Sequence, residues 1–292
     1  MTLSALVAIL ASMIPDSNME PRQTAQEHYL LPEPTRANVQ YKEGNNRRTV
    51  LDFYQAAKAG ARPTVIFLHG GGWRGSKAGR DKMLMPFLAH GWNVVNVEYR
   101  VPPRDRAPAS LVDARCAIHW VRTHAKELRV DPSKVIVSGS SAGGQLALMA
   151  SLPNLPAAFR CERNDHSTQS PVAGVIAWWG VVDLKAVITK TPPLRSARTW
   201  IGNRPDFDQM VTSLSPTENI TRGMPPVVLV QGERDPVAPL SHTIEFDRKL
   251  NATSVPSKLI IVPRGRHGRF SVERMQAIFK DVFDFFKARG IG

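Results

Sequence analysis

Two hydrophobic patterns alternate through most of this chain. Short runs that are apolar on both faces read as strands buried in a parallel sheet. Longer stretches with apolar residues every three or four positions read as helices lying on that sheet. The strand-like runs are 64–68, 93–99, the stretch ending at Ser138, 172–179, 226–230 and 258–262. Between them the spacing predicts helices over about 80–90, 108–129, the residues after Ser141, and 240–250. A last amphipathic helix is marked by Val272, Met275, Ile278, Val282 and Phe285. The helix over 108–129 carries Leu111, Ala114, Ile118, Val121, Ala125 and Leu128 on one stripe, and Asp131-Pro132 breaks it. Two earlier strands, 38–42 and 48–55, flank a Gly44-Asn45-Asn46 turn and predict antiparallel pairing at one edge. Strand–helix alternation predicts an α/β fold, with a mostly parallel central sheet and helices on both faces. Residues 183–217 break the rhythm with Pro192, Pro193, Pro205 and Pro216, and predict a short cap.

Length and composition agree with this pattern. With 292 residues and 42% hydrophobic content, the chain can bury a substantial core. Residues 1–37 read as a lead-in or a signal segment, and 38–292 as one domain with the cap inserted at about 183–217. Residues 3–14 are apolar and as long as a signal-peptide core, but no Lys or Arg precedes them and no clean A-x-A site follows. A degenerate signal, an amphipathic helix and an over-extended start remain three readings, with a cytoplasmic chain slightly favoured over a periplasmic or secreted one. No apolar run reaches the roughly 18 residues that a membrane span needs.

The net charge of +13 changes the picture less than its size suggests. A basic chain often meets nucleic acid. Here Arg47-Arg48, Arg104 with Arg106, and Arg264, Arg266 and Arg269 are short local groups, so the charge reads as a solvated surface. Cys116 and Cys161 can pair, but they form no metal-binding spacing, and the histidines do not cluster. The sequence therefore calls for neither a metal nor a cofactor.

Chemistry gathers at the strand ends, where open α/β sheets bind their ligands. Gly139-Ser140-Ser141-Ala142-Gly143 fits G-x-S-x-G between a strand and a helix, the turn that lifts a serine hydroxyl to the top of a sheet. Two later strands end near Asp235 and His267. Serine is a poor nucleophile until a base takes its proton. His267 suits that role, and Asp235 suits holding the imidazole tautomer. Glu233 and Asp183 are the competing acids. His69-Gly70-Gly71-Gly72-Trp73 follows the strand 64–68, so the N–H groups of Gly71, Gly72 and Ala142 are candidate oxyanion donors. His69 reads as a brace for that loop. Trp73 and Trp178 are candidate substrate-binding residues. Trp178 and Trp179 alternate faces, so at most one of them lines a pocket. Arg264, Arg266 and Arg269 flank His267 and either attract anionic substrates or point to solvent.

Taken together, these motifs resemble the α/β-hydrolase-fold serine esterases. The branch is that of the hormone-sensitive-lipase-like enzymes and the bacterial feruloyl and acetyl-xylan (BD-FAE-like) esterases. The resemblance covers about residues 38–289, and Leu51-Asp52-Phe53-Tyr54 with Trp73 leans towards the second group. It implies an α/β-hydrolase fold, a Ser141–Asp235–His267 triad and an oxyanion hole of Gly71, Gly72 and Ala142. The implied activity is carboxylic-ester hydrolysis through an acyl-enzyme, on a small-molecule ester with a small or aromatic acyl group. An arylformamidase or amidase on the same scaffold is the alternative, and a non-catalytic binding protein a more distant one. The chain departs from the lipase-like pattern at Ser140, where that group often has Asp, and its cap is short. Oligomeric state is left open.

Overall fold

The structure, a computed structural model, describes residues 30–44, 46–161 and 171–292. The segment 3–14, with its three readings, lies outside the described residues. Among the described residues eight strands form one sheet in the order β1-β2-β4-β3-β5-β6-β7-β8. These are β1 (Arg36–Gln40), β2 (Val50–Tyr54), β3 (Arg62–Leu68), β4 (Asn93–Val97), β5 (Val130–Ser140), β6 (Gly174–Trp178), β7 (Val227–Gly232) and β8 (Ser257–Val262). The strands from β4 to β8 run parallel, as their two-sided apolar composition requires. At the other edge β2 is antiparallel to both β1 and β4, with Leu51 opposite Val97 and Phe53 opposite Val95. The mostly parallel sheet and its antiparallel edge are as the pattern predicts.

Helices cover both faces. The α1 (Asp81–Ala89) and α8 (Val272–Lys287) helices bury Leu84, Phe87, Ile278, Phe279, Val282 and Phe286 against Val65, Phe67, Val94 and Ile176. On the opposite face lie α2 (Ala109–Thr123), α3 (Ala142–Ala150) and α7 (Leu240–Ala252). Their Leu111, Ile118, Leu146, Phe246 and Leu250 meet Ile66, Leu68, Val137 and Leu229. Successive residues of one strand thus serve opposite cores, which is the period-two geometry of a strand covered on both sides.

Three details differ from the sequence expectations. First, α2 stops at Thr123, six residues short of 129. Irregular turns follow, closed by the left-handed Arg129 (φ 51°) and a Val130 N–H to Ala125 C=O bond. Ala125 and Leu128 stay buried, so the apolar stripe outlasts the helix. Second, β5 starts at Val130 and runs through Asp131-Pro132. Its pairing with β3 is irregular there, and this tolerates a proline without a donor. Third, the irregular stretch between β6 and β7 holds three short helices: α4 (Leu184–Thr189), α5 (Arg195–Ile201) and α6 (Phe207–Ser213). Cys116 in α2 and Cys161 form a disulfide.

Candidate active site

The nucleophile elbow is built from steric necessity. Ser141 stands between β5 and α3 with φ 55° and ψ −118°, a strained conformation for a residue with a side chain. The turn is tight enough that a Cβ on Gly139 would lie 2.2 Å from the Gly143 carbonyl oxygen. A Cβ on Gly143 would lie 2.0 Å from that of Leu68. The strain is held by backbone bonds on both sides, Ser141 N–H to Trp178 C=O (2.8 Å) and Gln145 N–H to Ser141 C=O (3.1 Å).

Asp235 lies just past β7 and is almost wholly buried. Its Oδ1 accepts the N–H groups of Val237 (2.8 Å) and Ala238 (3.0 Å). Its Oδ2 accepts the Gln231 amide (2.9 Å) and the His267 ring (2.7 Å). Burial alone would raise the carboxyl. The hydrogen bonds and charge of His267, with the two backbone donors, outweigh it and hold Asp235 below the usual carboxylate range. An ionised carboxylate only accepts, so His267 Nδ1 carries the proton and Nε2 is left as an acceptor. That Nε2 lies 2.8 Å from Ser141 Oγ. The competing acids are engaged elsewhere: Asp183 caps α4 through Ala186 N–H, and Glu233 accepts Arg264 N–H.

The glycine loop follows β3. Gly71 (φ 87°) and Gly72 (φ 62°) both have left-handed backbones, which suits glycine. Among the described residues none accepts a hydrogen bond from the N–H of Gly71, Gly72 or Ala142, so all three are free to meet an oxyanion. His69 is fully buried. Its Nδ1–H donates to Gly70 C=O (3.0 Å), and its ring stacks on Tyr99 with centroids 3.9 Å apart. Burial, only partly offset by the Gly70 bond, lowers its pKa to about 3, so the ring is neutral. Glu98, at the end of β4, ties down the next turn. It accepts Lys77 N–H (2.7 Å) and pairs with Arg48, whose guanidinium also bonds Gly75 C=O (3.0 Å). Sequence reasoning missed Glu98. Its signal was a lone acid within the apolar run 93–99.

Ser141 and His267 open into a cavity of about 350 Å³, also lined by Gly70, Gly71, Gly72 and Trp179. Val181, Leu194, Val237 and Gly268 add apolar wall, and Arg80 and Ser196 add polar groups that sequence reasoning missed. Trp73 borders this cavity, but its indole is wholly buried, stacked on Trp200 (4.6 Å) and donating to Gln145 Oε1 (3.0 Å). Trp178 is not at the cavity. It points into the opposite core, where its Nε1–H donates to Ser138 Oγ and its ring meets Phe279. The expectation for Trp178 passes to Trp179, whose ring lies 6.4 Å from the His267 ring. Arg264, Arg266 and Arg269 are exposed and do not line the cavity.

A parallel sheet with an elbow at the end of its central strand, and an acid and a histidine after the last two strands, defines an α/β-hydrolase. Residues 51–250 match the BD-FAE family, and the chain belongs to it. It is 28% identical to esterase LipC of Mycobacterium tuberculosis over 72% of this chain and 54% of that protein. It is 30% identical to the probable carboxylic ester hydrolase LipM of the same organism over 71% of this chain and 48% of that protein. The chain thus spans about half the length of these curated relatives. Among solved structures, the apo form of Thermogutta terrifontis esterase 2 is similar at a TM-score of 0.73 and 28% identity, covering 89% of this chain and 97% of that one. A truncated carbohydrate esterase from gut microbiota shares the fold, at a TM-score of 0.76 and 23% identity, covering 88% and 96%.

Proposed function

We propose that the chain is a serine carboxylic-ester hydrolase that works through an acyl-enzyme. The observation that carries this reading is the continuous chain from Ser141 Oγ to His267 Nε2 (2.8 Å) and from His267 Nδ1 to Asp235 (2.7 Å). His267 takes the serine proton as Ser141 attacks the ester carbonyl, and returns it to the leaving alcohol. Asp235 keeps the tautomer and stabilises the imidazolium. The N–H groups of Gly71, Gly72 and Ala142 meet the oxyanion, each such donor being worth roughly 10²–10³ in rate. Water then repeats the sequence on the acyl-enzyme. Trp179, Val181, Leu194 and Val237 favour a small acyl or aromatic-acyl ester in a cavity of about 350 Å³. The Cys116–Cys161 disulfide suits an oxidising compartment, against the slight lean of the sequence towards the cytoplasm.

The test is turnover of 4-nitrophenyl acetate by the wild type and Ser141→Ala, with circular dichroism to confirm folding. The expected loss is roughly 10⁴-fold or more. Full turnover by a folded Ser141→Ala protein would falsify the reading, and so would turnover of N-formyl aromatic amides with none of esters.

A further inference from the structure

The cavity holds one cation that the hydrolytic chemistry does not use. Arg80 lines it together with Ser141 and His267 and is half-buried. Its Nε–H and Nη2–H both donate to the carbonyl oxygen of Ser76, at 3.2 and 3.1 Å. One edge of the guanidinium is thereby fixed, and the rest of its donors have no partner among the described side chains. Arg48, Arg100 and Arg204 behave differently, each pairing with a carboxylate: Glu98, Asp113 and Asp206. Arg80 also borders a neighbouring cavity with Asp52, but that carboxylate pairs with Lys77. A half-buried guanidinium that makes no ion pair attracts an anion, and its planar fork suits a carboxylate. Anchoring to Ser76 removes much of the rotamer entropy that binding would otherwise lose. The charge is felt under the glycine loop, where Arg80 is among the groups that lower the proton affinity of His69.

We propose that Arg80 makes this cavity selective for esters that carry a second, anionic group, a carboxylate a few atoms from the scissile carbonyl. The proposal rests on the ester-hydrolase reading of the site and names its substrate class. The rest of the lining fits such a molecule. Trp179, Val181, Leu194 and Val237 take an apolar body, and Ser196, from α5, adds a hydroxyl over Gly72. The selectivity does not come from the general basic charge, because Arg264, Arg266 and Arg269 stay outside the cavity.

Two matched pairs of esters separate an anion in the acyl part from one in the leaving group. The acyl pair is mono-4-nitrophenyl adipate against 4-nitrophenyl hexanoate. The leaving-group pair is 4-acetoxybenzoate against 4-acetoxybenzamide. The quantity read is the ratio of kcat/KM, anionic over neutral, in the wild type, Arg80→Gln and Arg80→Lys. In at least one pair the wild type favours the anion, and Arg80→Gln lowers the ratio about tenfold or more, mainly through KM. Arg80→Lys recovers part of it. An unchanged ratio in both pairs overturns the proposal, whatever the absolute rates. So does an equal loss for both members of each pair, which would make Arg80 only a brace for Ser76. Calorimetric binding of 4-acetoxybenzoate and 4-acetoxybenzamide to Ser141→Ala, with and without Arg80→Gln, reads the preference without turnover. If the wild type hydrolyses none of the esters, the hydrolase reading fails alone. The anion site then stands if Arg80→Gln abolishes a preference for the benzoate, and falls if the two ligands bind equally.

Discussion

Gly143 fixes the elbow more firmly than any polar contact around Ser141. A Cβ there would lie 2.0 Å from the carbonyl oxygen of Leu68 and 2.5 Å from that of His69. Both obstacles are backbone, and Leu68 is locked in β3 between β4 and β5, so neither can step aside. Gly143→Ala is expected to lower stability by about 3 kcal/mol or more, at the top of the usual range for overpacking. The midpoint of urea unfolding measures it, and a variant as stable as the wild type would show that the turn can relax. This constraint is legible in the sequence, since small residues on both sides of a serine between a strand and a helix mark a turn with no room for larger side chains. Asp235 and His267 are legible for a related reason, because strand ends in a parallel sheet converge on one side. The tryptophans are not legible. Alternation assigns faces only while the chain stays extended. β6 ends at Trp178 and Trp179 turns with φ 40°, so parity separates the two faces but predicts neither that Trp178 enters the core nor where Trp179 goes. Arg80 belongs to no motif, and only the folded cavity gives it a role.

Among the elements, α5 braces the glycine loop that lines the cavity. Near its C-terminal end Trp200 lies flat on Trp73, its Nε1–H donates to Ser110 Oγ in α2 (2.9 Å), and its carbonyl accepts Ala107 N–H (2.9 Å). At the other end Ser196 comes so close to Gly72 that a Cβ there would lie 2.8 Å from the serine Cβ. The helix thus spans from α2 to the glycine loop. Trp200→Ala is expected to cost about 3–5 kcal/mol, as for other buried tryptophans, and to lower kcat/KM for esters by loosening Gly72. Trp200→Phe, which can still stack on Trp73, loses less of both. Thermal melts and ester kinetics on the two variants check this, and equal losses in both would take the stack out of the account. The sequence predicts only an irregular capping stretch here, because a helix of seven residues is too short to show a helical period. The longer helices were readable because their stripes face a complete sheet, and α2 misleads only where that stripe continues past the last helical turn.

At the scale of the whole molecule, the parallel sheet and its two helical layers follow from alternation, while strand order and other long-range partners do not. The pairing of β2 with β4 and the Cys116–Cys161 bond join segments that no local pattern relates. The buried His69 has a consequence at this scale as well. Its pKa in the folded chain is lowered to about 3, chiefly by burial, whereas an unfolded histidine titrates near about 6.5. Between these values the unfolded chain binds a proton that the native chain refuses, so stability falls as pH falls through that window. The Asp235 carboxyl acts at lower pH. Its stabilising contribution is present above the ordinary carboxylate range and is lost as pH drops through its depressed folded value. His90, also lowered chiefly by burial, acts in the same direction, and the larger acid loss is assigned to the more deeply buried His69. By pH 4.5 it should reach on the order of 2–3 kcal/mol, from the separation between that pH and the unfolded value. His69→Gln keeps a donor for Gly70 C=O but cannot titrate. Unfolding free energies at pH 7 and pH 4.5 are therefore expected to differ less in His69→Gln than in the wild type, even if the variant is weaker at pH 7. Self-repulsion from the net charge of +13 grows on acidification in both proteins and nearly cancels in that comparison. Equal acid losses in the two proteins would mean that the His69 ring is not the group that makes the fold acid-sensitive.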